Sequence, residues 1–140
     1  MNAKELKKHS IYLKMASEWA GNSCCNRKKV GALIVKDQMI ISDGYNGTPS
    51  GFSNDCENAD GNSNWYVLHA EANAITKLAK NYSGNADGST LYVTLSPCKE
   101  CCKLIIQTGI KRVFYKDKYR DVSGLSILKE SGIIIEQFDY

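Results

Sequence analysis

The chain has 140 residues, the size of one ordinary domain, and 43% of them are apolar and 24% are charged. These fractions are close to the average of soluble globular proteins and argue against both disorder and membrane-spanning segments. Eighteen Lys and Arg against fifteen Asp and Glu leave a formal charge of only +3, and no block of basic residues is present. This charge suits an anionic small molecule as well as a nucleic acid and demands neither. We expect a single domain over residues 1–140, with neither a membrane nor a nucleic acid as partner.

The first segment, residues 1–21, alternates lysines with apolar residues and contains no uninterrupted apolar core of the kind found in signal peptides. The expected location is therefore the cytoplasm, where disulfides rarely persist. On that basis the six cysteines predict metal binding or reactive thiols rather than disulfide bonds.

The first predicted element is a helix with one apolar face. Its apolar residues recur at i, i+3, i+4 and i+7, the spacing that places side chains on one side of a helix. They are Tyr12, Met15, Ala16 and Trp19. Gly21 and Asn22 are typical of a helix end. Two β-prone runs follow, over residues 30–35 and 39–45, and the short stretch between them predicts a hairpin.

The remaining predicted elements alternate between helix and strand. A loop rich in Gly, Ser, Asn and Asp precedes them over residues 47–64, and long loops inside a compact domain are usually functional. Pro97 suits the first position of a helix, because it lacks an N–H and has a fixed φ. The alternation predicts a mixed sheet with helices on both faces. Helices are predicted over 69–80, from 97 and over 123–130, and strands over 90–95, 113–115 and 133–135.

The most specific pattern joins the tripeptide His-Ala-Glu at 69–71 to the pentapeptide Pro-Cys-Lys-Glu-Cys at 97–101. Cys98 and Cys101 lie one helical turn apart, so both sulfurs can reach one ion. A helix N-terminus also favours the thiolate, which is the form that binds metal. Two thiolates and the His69 imidazole fill three positions of a tetrahedral Zn²⁺ and leave the fourth open for water, as in catalytic sites.

Glu71 follows the histidine by two residues, so its carboxylate can enter the same cavity without binding the ion. Such a carboxylate can take a proton from water and pass it on, and a positioned acid/base contributes on the order of 10²–10⁴-fold in rate. The pattern H-x-E…P-C-x-x-C is the known signature of zinc-dependent nucleobase deaminases. The alternative is a structural zinc site in which a fourth cysteine completes the ligand set. The candidates for that ligand are Cys24, Cys25, Cys56 and Cys102.

These motifs resemble the cytidine deaminase superfamily, and within it the deoxycytidylate (dCMP) deaminases, from about residue 6 to residue 135. Three stretches carry the closer resemblance: GYNGTPSG at 44–51, HAEANAI at 69–75 and DKY at 117–119. The resemblance implies an α/β fold, a three-layer α/β/α sandwich around a mixed five-stranded sheet. It also implies hydrolysis of dCMP to dUMP and ammonia with one catalytic Zn²⁺, which supplies dUMP for thymidylate synthesis.

Two alternatives stay open. One is a tRNA adenosine deaminase or another nucleobase deaminase of the same superfamily, which would need an extended basic groove with stacking aromatic residues. The other is a non-enzymatic module with a structural zinc that binds a partner. Glu71 distinguishes this second alternative from an enzyme, because a structural site has no use for a carboxylate at an open coordination position.

The resemblance also implies roles for residues outside the zinc motif. Asn46 would hydrogen-bond the sugar, and Asn73 would help to hold the nucleotide. Tyr119 would lie near the base or the phosphate, and Arg27 would clamp the phosphate, because a guanidinium matches phosphate oxygens. Simpler explanations exist for each: Asn46 and Gly47 form a favoured turn pair, and the others are compatible with ordinary surface positions.

In regulated members of the family, the stretch 44–51 forms part of an effector site near subunit interfaces. The candidates here are Gly44, Tyr45, Gly47 and, after the fourth strand, Lys118. We therefore expect activation by dCTP and inhibition by dTTP, possible binding of Mg²⁺ with these effectors, and a homo-oligomer, with a hexamer favoured.

Some members of the family carry a second, structural zinc built from cysteines and histidines. Cys24 or Cys25 and Cys56 have positions compatible with remnants of that site. The chain has only two histidines, His9 and His69, so we do not expect a second zinc.

Overall fold

The computed structural model describes residues 1–139. In chain order the elements are α1 Ala3–Ala20, β1 Gly31–Lys36, β2 Met39–Tyr45, α2 Ala70–Asn81, β3 Thr90–Leu95, α3 Lys99–Thr108, β4 Arg112–Asp117, α4 Leu125–Glu130 and β5 Ile134–Gln137. Among the described residues, no helix combines the length and the apolar character that crossing a bilayer requires.

The five strands form one mixed sheet in the order β2-β1-β3-β4-β5. β1 pairs antiparallel with β2 and with β3, whereas β3, β4 and β5 run parallel. β1 and β2 are joined by Asp37 and Gln38, which both have positive φ, the geometry that a tight two-residue hairpin requires. α3 and α4 make the two crossovers between the parallel strands. The predicted mixed five-stranded sheet is confirmed.

Both faces of the sheet are covered by helices. Because successive residues of a strand point to opposite faces, β1 contributes to two cores. Leu33 and Val35 pack with Leu13 of α1 on one face. Ala32 and Ile34 belong to a larger core on the other face, which includes residues of α2, α3 and α4. The fold is therefore the predicted three-layer α/β/α sandwich.

Helix α1 buries a face that overlaps the predicted one only in part: Ala16 is fully buried and Tyr12 packs against the core, as predicted. Its buried residues are His9, Leu13, Ala16 and Ala20. Of the predicted stripe, Met15 is 42% exposed and Trp19 is 38% exposed. The core face contains a polar residue that an apolar pattern does not count: His9 Nδ1 lies 2.6 Å from the Tyr92 hydroxyl. Burial, and then the charge of Arg112, lower the pKa of His9, which keeps the imidazole neutral in this core.

At Gly44 the backbone of strand β2 packs directly against the backbone of α2, with no side chain between them. A Cβ at this position would lie 2.6 Å from the backbone nitrogen of Ala74 and closer still to the carbonyl oxygen of Ala70. On the same face of the strand, Ser42 Oγ donates a hydrogen bond to the carbonyl of Ala74 at 2.6 Å. This close approach fixes the position of α2, whose first turn carries Glu71.

The variant Gly44→Ala is expected to lower the free energy of unfolding by about 1–3 kcal/mol, because the added methyl group must displace α2. Gly47→Ala is the matched control in the same stretch, since a Cβ there meets no atom within 4 Å. We expect that control to stay within about 0.5 kcal/mol of the parent. Denaturant unfolding of the three proteins measures the difference, and equal losses in both variants would contradict the packing argument.

Candidate active site

Two helix N-termini meet at one end of the sheet, and each carries a predicted zinc ligand. His69 is the N-cap of α2 and Cys98 is the N-cap of α3. Cys98 has an extended backbone, and its carbonyl accepts the N–H of Cys102 at 2.9 Å, so the helix proper begins at Lys99. Pro97 therefore precedes the cap, and the prediction that it occupies the first helical position is wrong, because the N-cap requires the non-helical backbone that Cys98 adopts.

The three predicted ligands lie at distances that fit one zinc ion. His69 Nδ1 is 3.3 Å from Cys98 Sγ and 3.5 Å from Cys101 Sγ. The three ligand atoms all lie within 4.8 Å of one another. In a tetrahedron with Zn–S and Zn–N lengths of about 2.3 and 2.0 Å, nitrogen and sulfur are about 3.5 Å apart. Both the spacing and the donor types therefore fit Zn²⁺.

The protonation of the ligands also favours a cation. Hydrogen bonds from Cys101 and then from His69 lower the pKa of the Cys98 thiol to about 3. The hydrogen bond to Cys98, followed by burial, raises the pKa of Cys101, and the hydrogen bond to Cys98 raises the pKa of His69. Without a metal, these shifts favour a thiolate at Cys98 that accepts hydrogen bonds from the Cys101 thiol and the His69 imidazole. A divalent ion displaces such protons when it binds.

No fourth cysteine completes this cluster among residues 1–139. Cys102 is buried and its thiol faces the carbonyl of Pro97 at 3.8 Å. Cys25 and Cys56 are bonded to each other, and Cys24 is exposed. Three protein ligands leave one coordination position for water or substrate, which is the arrangement of a catalytic site.

Glu71 lies beside the ligands and is only 4% exposed. It belongs to the first turn of α2 and is not one of the three grouped ligands. Burial raises the pKa of its carboxyl to about 7. A group with this pKa can both accept and release a proton near neutral pH, as a general acid/base must.

A cavity of about 460 Å³ opens onto these groups. Its buried lining includes Val30, Ala70 and Ser96 together with Glu71. The exposed residues of its lining, which we call the rim, are more polar and include three cations. They are Arg27, Lys28, Ser63, Trp65, His69 and Arg120.

Three of the four predicted substrate residues line the cavity: Arg27, Asn46 and Tyr119. The fourth, Asn73, is not among the lining residues of the described chain. Its amide instead donates a hydrogen bond to the carbonyl of Tyr45 at 2.8 Å, on the side of α2 that faces the end of β2. The structure therefore brings Arg27, Asn46 and Tyr119 together with the zinc ligands and leaves Asn73 outside.

Asn46 also has a clear structural task. Its Oδ1 accepts the backbone N–H of Val30 at 2.9 Å, and its Nδ2 donates to the carbonyl of Lys28 at 2.7 Å. Asn46 thus holds the segment that carries Arg27 and Lys28 against the cavity. Any hydrogen bond between Asn46 and a ligand must therefore use the second lone pair of Oδ1 or the second hydrogen of Nδ2.

The four effector candidates do not line this cavity in the described structure. Gly44 is explained by its packing against α2. The N–H and C=O of Gly47 are both hydrogen-bonded to Leu68, at 3.1 and 2.8 Å, so they are not free to bind a phosphate. Tyr45 contacts the ring of Trp19, and Lys118 is exposed.

Sequence reasoning missed several residues of the cavity. Ser96 is 2% exposed, and its Oγ accepts the backbone N–H of Tyr119 at 2.7 Å, which holds the segment with Tyr119 and Arg120 beside the site. The position of Ser96 directly before the Pro-Cys motif was a usable signal. Trp65 and Arg120 carried no pattern, because their positions depend on how loops meet, whereas Lys28 directly follows the predicted phosphate clamp Arg27 in a basic run.

The structure contains a disulfide between Cys25 and Cys56, which are 31 positions apart in sequence and have Cα atoms 5.1 Å apart. The prediction that the cysteines form no disulfides is therefore wrong. The long loop folds back onto the end of the α1 segment, where Glu57 accepts the backbone N–H groups of Asn26 at 3.2 Å and Arg27 at 3.4 Å. While the bond is formed, neither sulfur can act as a thiolate ligand.

Residues 6–117 match the family model of the cytidine and deoxycytidylate deaminase zinc-binding region. Deoxycytidylate deaminase of Saccharomyces cerevisiae is 37% identical over 94% of this chain and 45% of its own length. The Mus musculus enzyme is 42% identical over 79% of this chain and 67% of its own. The chain is also similar to dCMP deaminase from the cyanophage S-TIM5, whose crystal structure contains dCMP and dUMP. The two sequences are 45% identical, and the structures superpose over 99% of each chain with a TM-score of 0.91.

The fold and the site together define a zinc-binding deaminase domain, with three ligands from two helix N-termini and a buried carboxyl beside them. Within that class, the chain belongs to the cytidine and deoxycytidylate deaminase family. The chain spans 45% of the yeast relative and 64% of ComE operon protein 2 of Bacillus subtilis, which is 38% identical.

Cys98→Ala is expected to lose most of the bound zinc, because it removes one of two thiolates from a site with three protein ligands. Cys102→Ala is the matched control: it removes a neighbouring thiol that lies outside the cluster. We expect that control to keep about one zinc per chain. Metal analysis of the purified, dialysed proteins measures both, with circular dichroism to confirm the fold. Full zinc content in Cys98→Ala would contradict the proposed ligand set.

Proposed function

We propose that this protein hydrolyses dCMP to dUMP and ammonia with one bound Zn²⁺, and so supplies dUMP for thymidylate synthesis. The observation that carries the proposal is the buried carboxyl of Glu71, which opens onto the same cavity as His69 and Cys98. The likeness to the cyanophage dCMP deaminase over the full chain supports the choice of substrate.

Bound zinc supplies a Lewis acid that makes water nucleophilic at neutral pH. Glu71 accepts a proton from the attacking water and donates it to N3 of cytosine while oxygen adds to C4. The same carboxyl then carries the second proton of the water to the amino group that leaves C4 as ammonia. A carboxyl with a pKa near 7 suits both transfers, because its protonated and ionised forms are both populated near neutral pH.

The rim of the cavity suits a nucleotide better than a nucleoside. Arg27, Lys28 and Arg120 are exposed cations that line it, and they can meet the 5′-phosphate while the base reaches the zinc ligands. Tyr119 lines the same cavity, and its backbone N–H is held by Ser96. A guanidinium can engage two phosphate oxygens at once, which favours Arg27 and Arg120 as the clamp.

The two alternative functions have less support. A tRNA adenosine deaminase of known structure shares only the fold with this chain, at 18% identity and a TM-score of 0.66. The basic residues here also surround one cavity rather than an extended groove. A structural zinc module would place no buried carboxyl beside an incomplete ligand set.

The wider predictions from the family resemblance stay predictions. These are activation by dCTP, inhibition by dTTP, Mg²⁺ bound with the effectors, a homo-oligomer with a hexamer favoured, and location in the cytoplasm. The exposed apolar side chains of α1 supply surface for contacts between subunits; they include Ile11, Met15 and Trp19. The disulfide counts against the cytoplasm, since such bonds are rare there.

Glu71→Gln is expected to keep zinc and stability but to lose at least about 10²-fold in kcat, because the amide cannot transfer a proton. Glu100→Gln is the control: it changes an exposed carboxylate of the same motif that pairs only with Lys103 at 2.7 Å in the described structure. We expect that control to retain activity within about twofold. Ammonia release and metal analysis decide, and a zinc-loaded Glu71→Gln protein with parental turnover would refute the proposed role.

Arg27→Gln is expected to lower kcat/KM for dCMP by about tenfold or more, the value of one charge-assisted hydrogen bond, and to leave deoxycytidine hydrolysis unchanged. The parent should prefer dCMP over deoxycytidine by at least that factor. Lys103→Gln, which removes an exposed cation outside the cavity lining, is the control and should alter neither rate. Equal parental efficiency on the nucleotide and the nucleoside would rule out a phosphate clamp.

A further inference from the structure

Trp65 is a feature of the cavity that the proposed chemistry does not explain. It lines the cavity and is nevertheless 93% exposed, whereas Trp19, the other tryptophan of the chain, is 38% exposed. Tryptophan carries a large apolar surface together with one N–H donor, and leaving that surface in water forgoes a substantial gain. Such a residue at the opening of a ligand cavity indicates a contact that forms only when a partner arrives.

The backbone on both sides of Trp65 is held in place. Asn64 donates its N–H to the carbonyl of Cys56 at 2.7 Å and its Nδ2 to the carbonyl of Asp55 at 2.8 Å. Leu68 exchanges two hydrogen bonds with Gly47. These hydrogen bonds restrict the main chain around Trp65. The indole can therefore move mainly by rotation about its own side-chain torsions.

The surroundings of the indole define what it can bind. Tyr66 contacts its ring edge-on, with centroids 5.8 Å apart, and leaves most of the indole surface in solvent. Arg27, Lys28 and Arg120 line the same cavity and supply positive charge for a phosphate. An aromatic plane in the same cavity as such cations is a combination that recognises nucleotides, since every base offers a flat π-face and every phosphate a charge.

We propose that Trp65 is a specificity-determining residue that folds over the cavity and packs on the bound pyrimidine nucleotide. The inference rests on the proposed function, because it takes dCMP as the ligand. Once the base has reached the zinc ligands, the indole covers the outward-facing part of the nucleotide and excludes water from it. Trp65 therefore contributes to substrate binding and not to proton transfer.

Fluorescence offers a direct test, because the chain has two tryptophans. In Trp19→Phe, Trp65 is the sole tryptophan, and titration with dUMP, the product, should give a saturable change in its emission. In Trp65→Phe, Trp19 alone remains, and dUMP should leave the emission unchanged. If dUMP binds Trp19→Phe, shown by calorimetry, without altering its emission, the proposal is overturned. A change that depends on protein concentration in the absence of dUMP would assign Trp65 to a subunit contact and overturn it as well.

Kinetics separate a binding role from a structural one. Trp65→Ala should raise KM for dCMP by about tenfold, within the range for loss of one aromatic stack, with kcat within about threefold of the parent. Trp65→Phe should restore most of the affinity, and thermal unfolding should be unchanged because the side chain is exposed. Parental KM in Trp65→Ala would overturn the inference and leave the proposed function intact. A parent that neither deaminates dCMP nor binds dUMP would refute the function itself.

Discussion

The site depends on the close packing of β2 against α2. Two backbones meet at Gly44, where a single methyl group would collide with the carbonyl of Ala70, next to the zinc ligand His69. This contact sets where α2 begins, and α3 begins opposite it because β3 ends one residue before Ser96 and leads directly into Cys98. The three candidate ligands are thus positioned by sheet and helix packing, and a bound ion would join elements that are already adjacent.

The positions of Cys98 and Glu71 at helix N-termini also affect the pKa values of these two groups. The partial positive charge of a helix N-terminus favours the anionic forms of Cys98 and of Glu71. Burial acts in the opposite sense on Glu71 and dominates, so its pKa rises to about 7, whereas Cys98 receives hydrogen bonds and its pKa falls to about 3. Two acidic groups near two helix N-termini therefore have pKa values shifted in opposite directions, which suits the roles proposed for them: Cys98 as a thiolate ligand and Glu71 as an acid/base.

The grouping of His69, Cys98 and Cys101 and the mixed five-stranded sheet were predictable, because they depend on short spacings and on alternating patterns. The buried face of α1 was not, since His9 belongs to the core only through its contact with Tyr92, far away in sequence. The disulfide was missed for a similar reason: Cys25 meets Cys56 through the path of a long loop, which no local pattern encodes. Asn73 shows the converse, because its motif was recognised but its side chain bonds to Tyr45 outside the cavity.

The path of that loop has a consequence for selectivity. The disulfide and the bonds from Glu57 tie the segment with Arg27 to the loop that carries Trp65, so these parts of the rim are mechanically coupled. Tyr119 and Arg120 belong to a separate segment, which Ser96 holds. The same cavity is lined by the candidate zinc ligands His69 and Cys98 and by the buried carboxyl of Glu71, which hydrolytic deamination by the proposed mechanism requires. Discrimination among cytosine compounds must therefore come from the rim, where the charged and aromatic residues meet whatever is attached to the base.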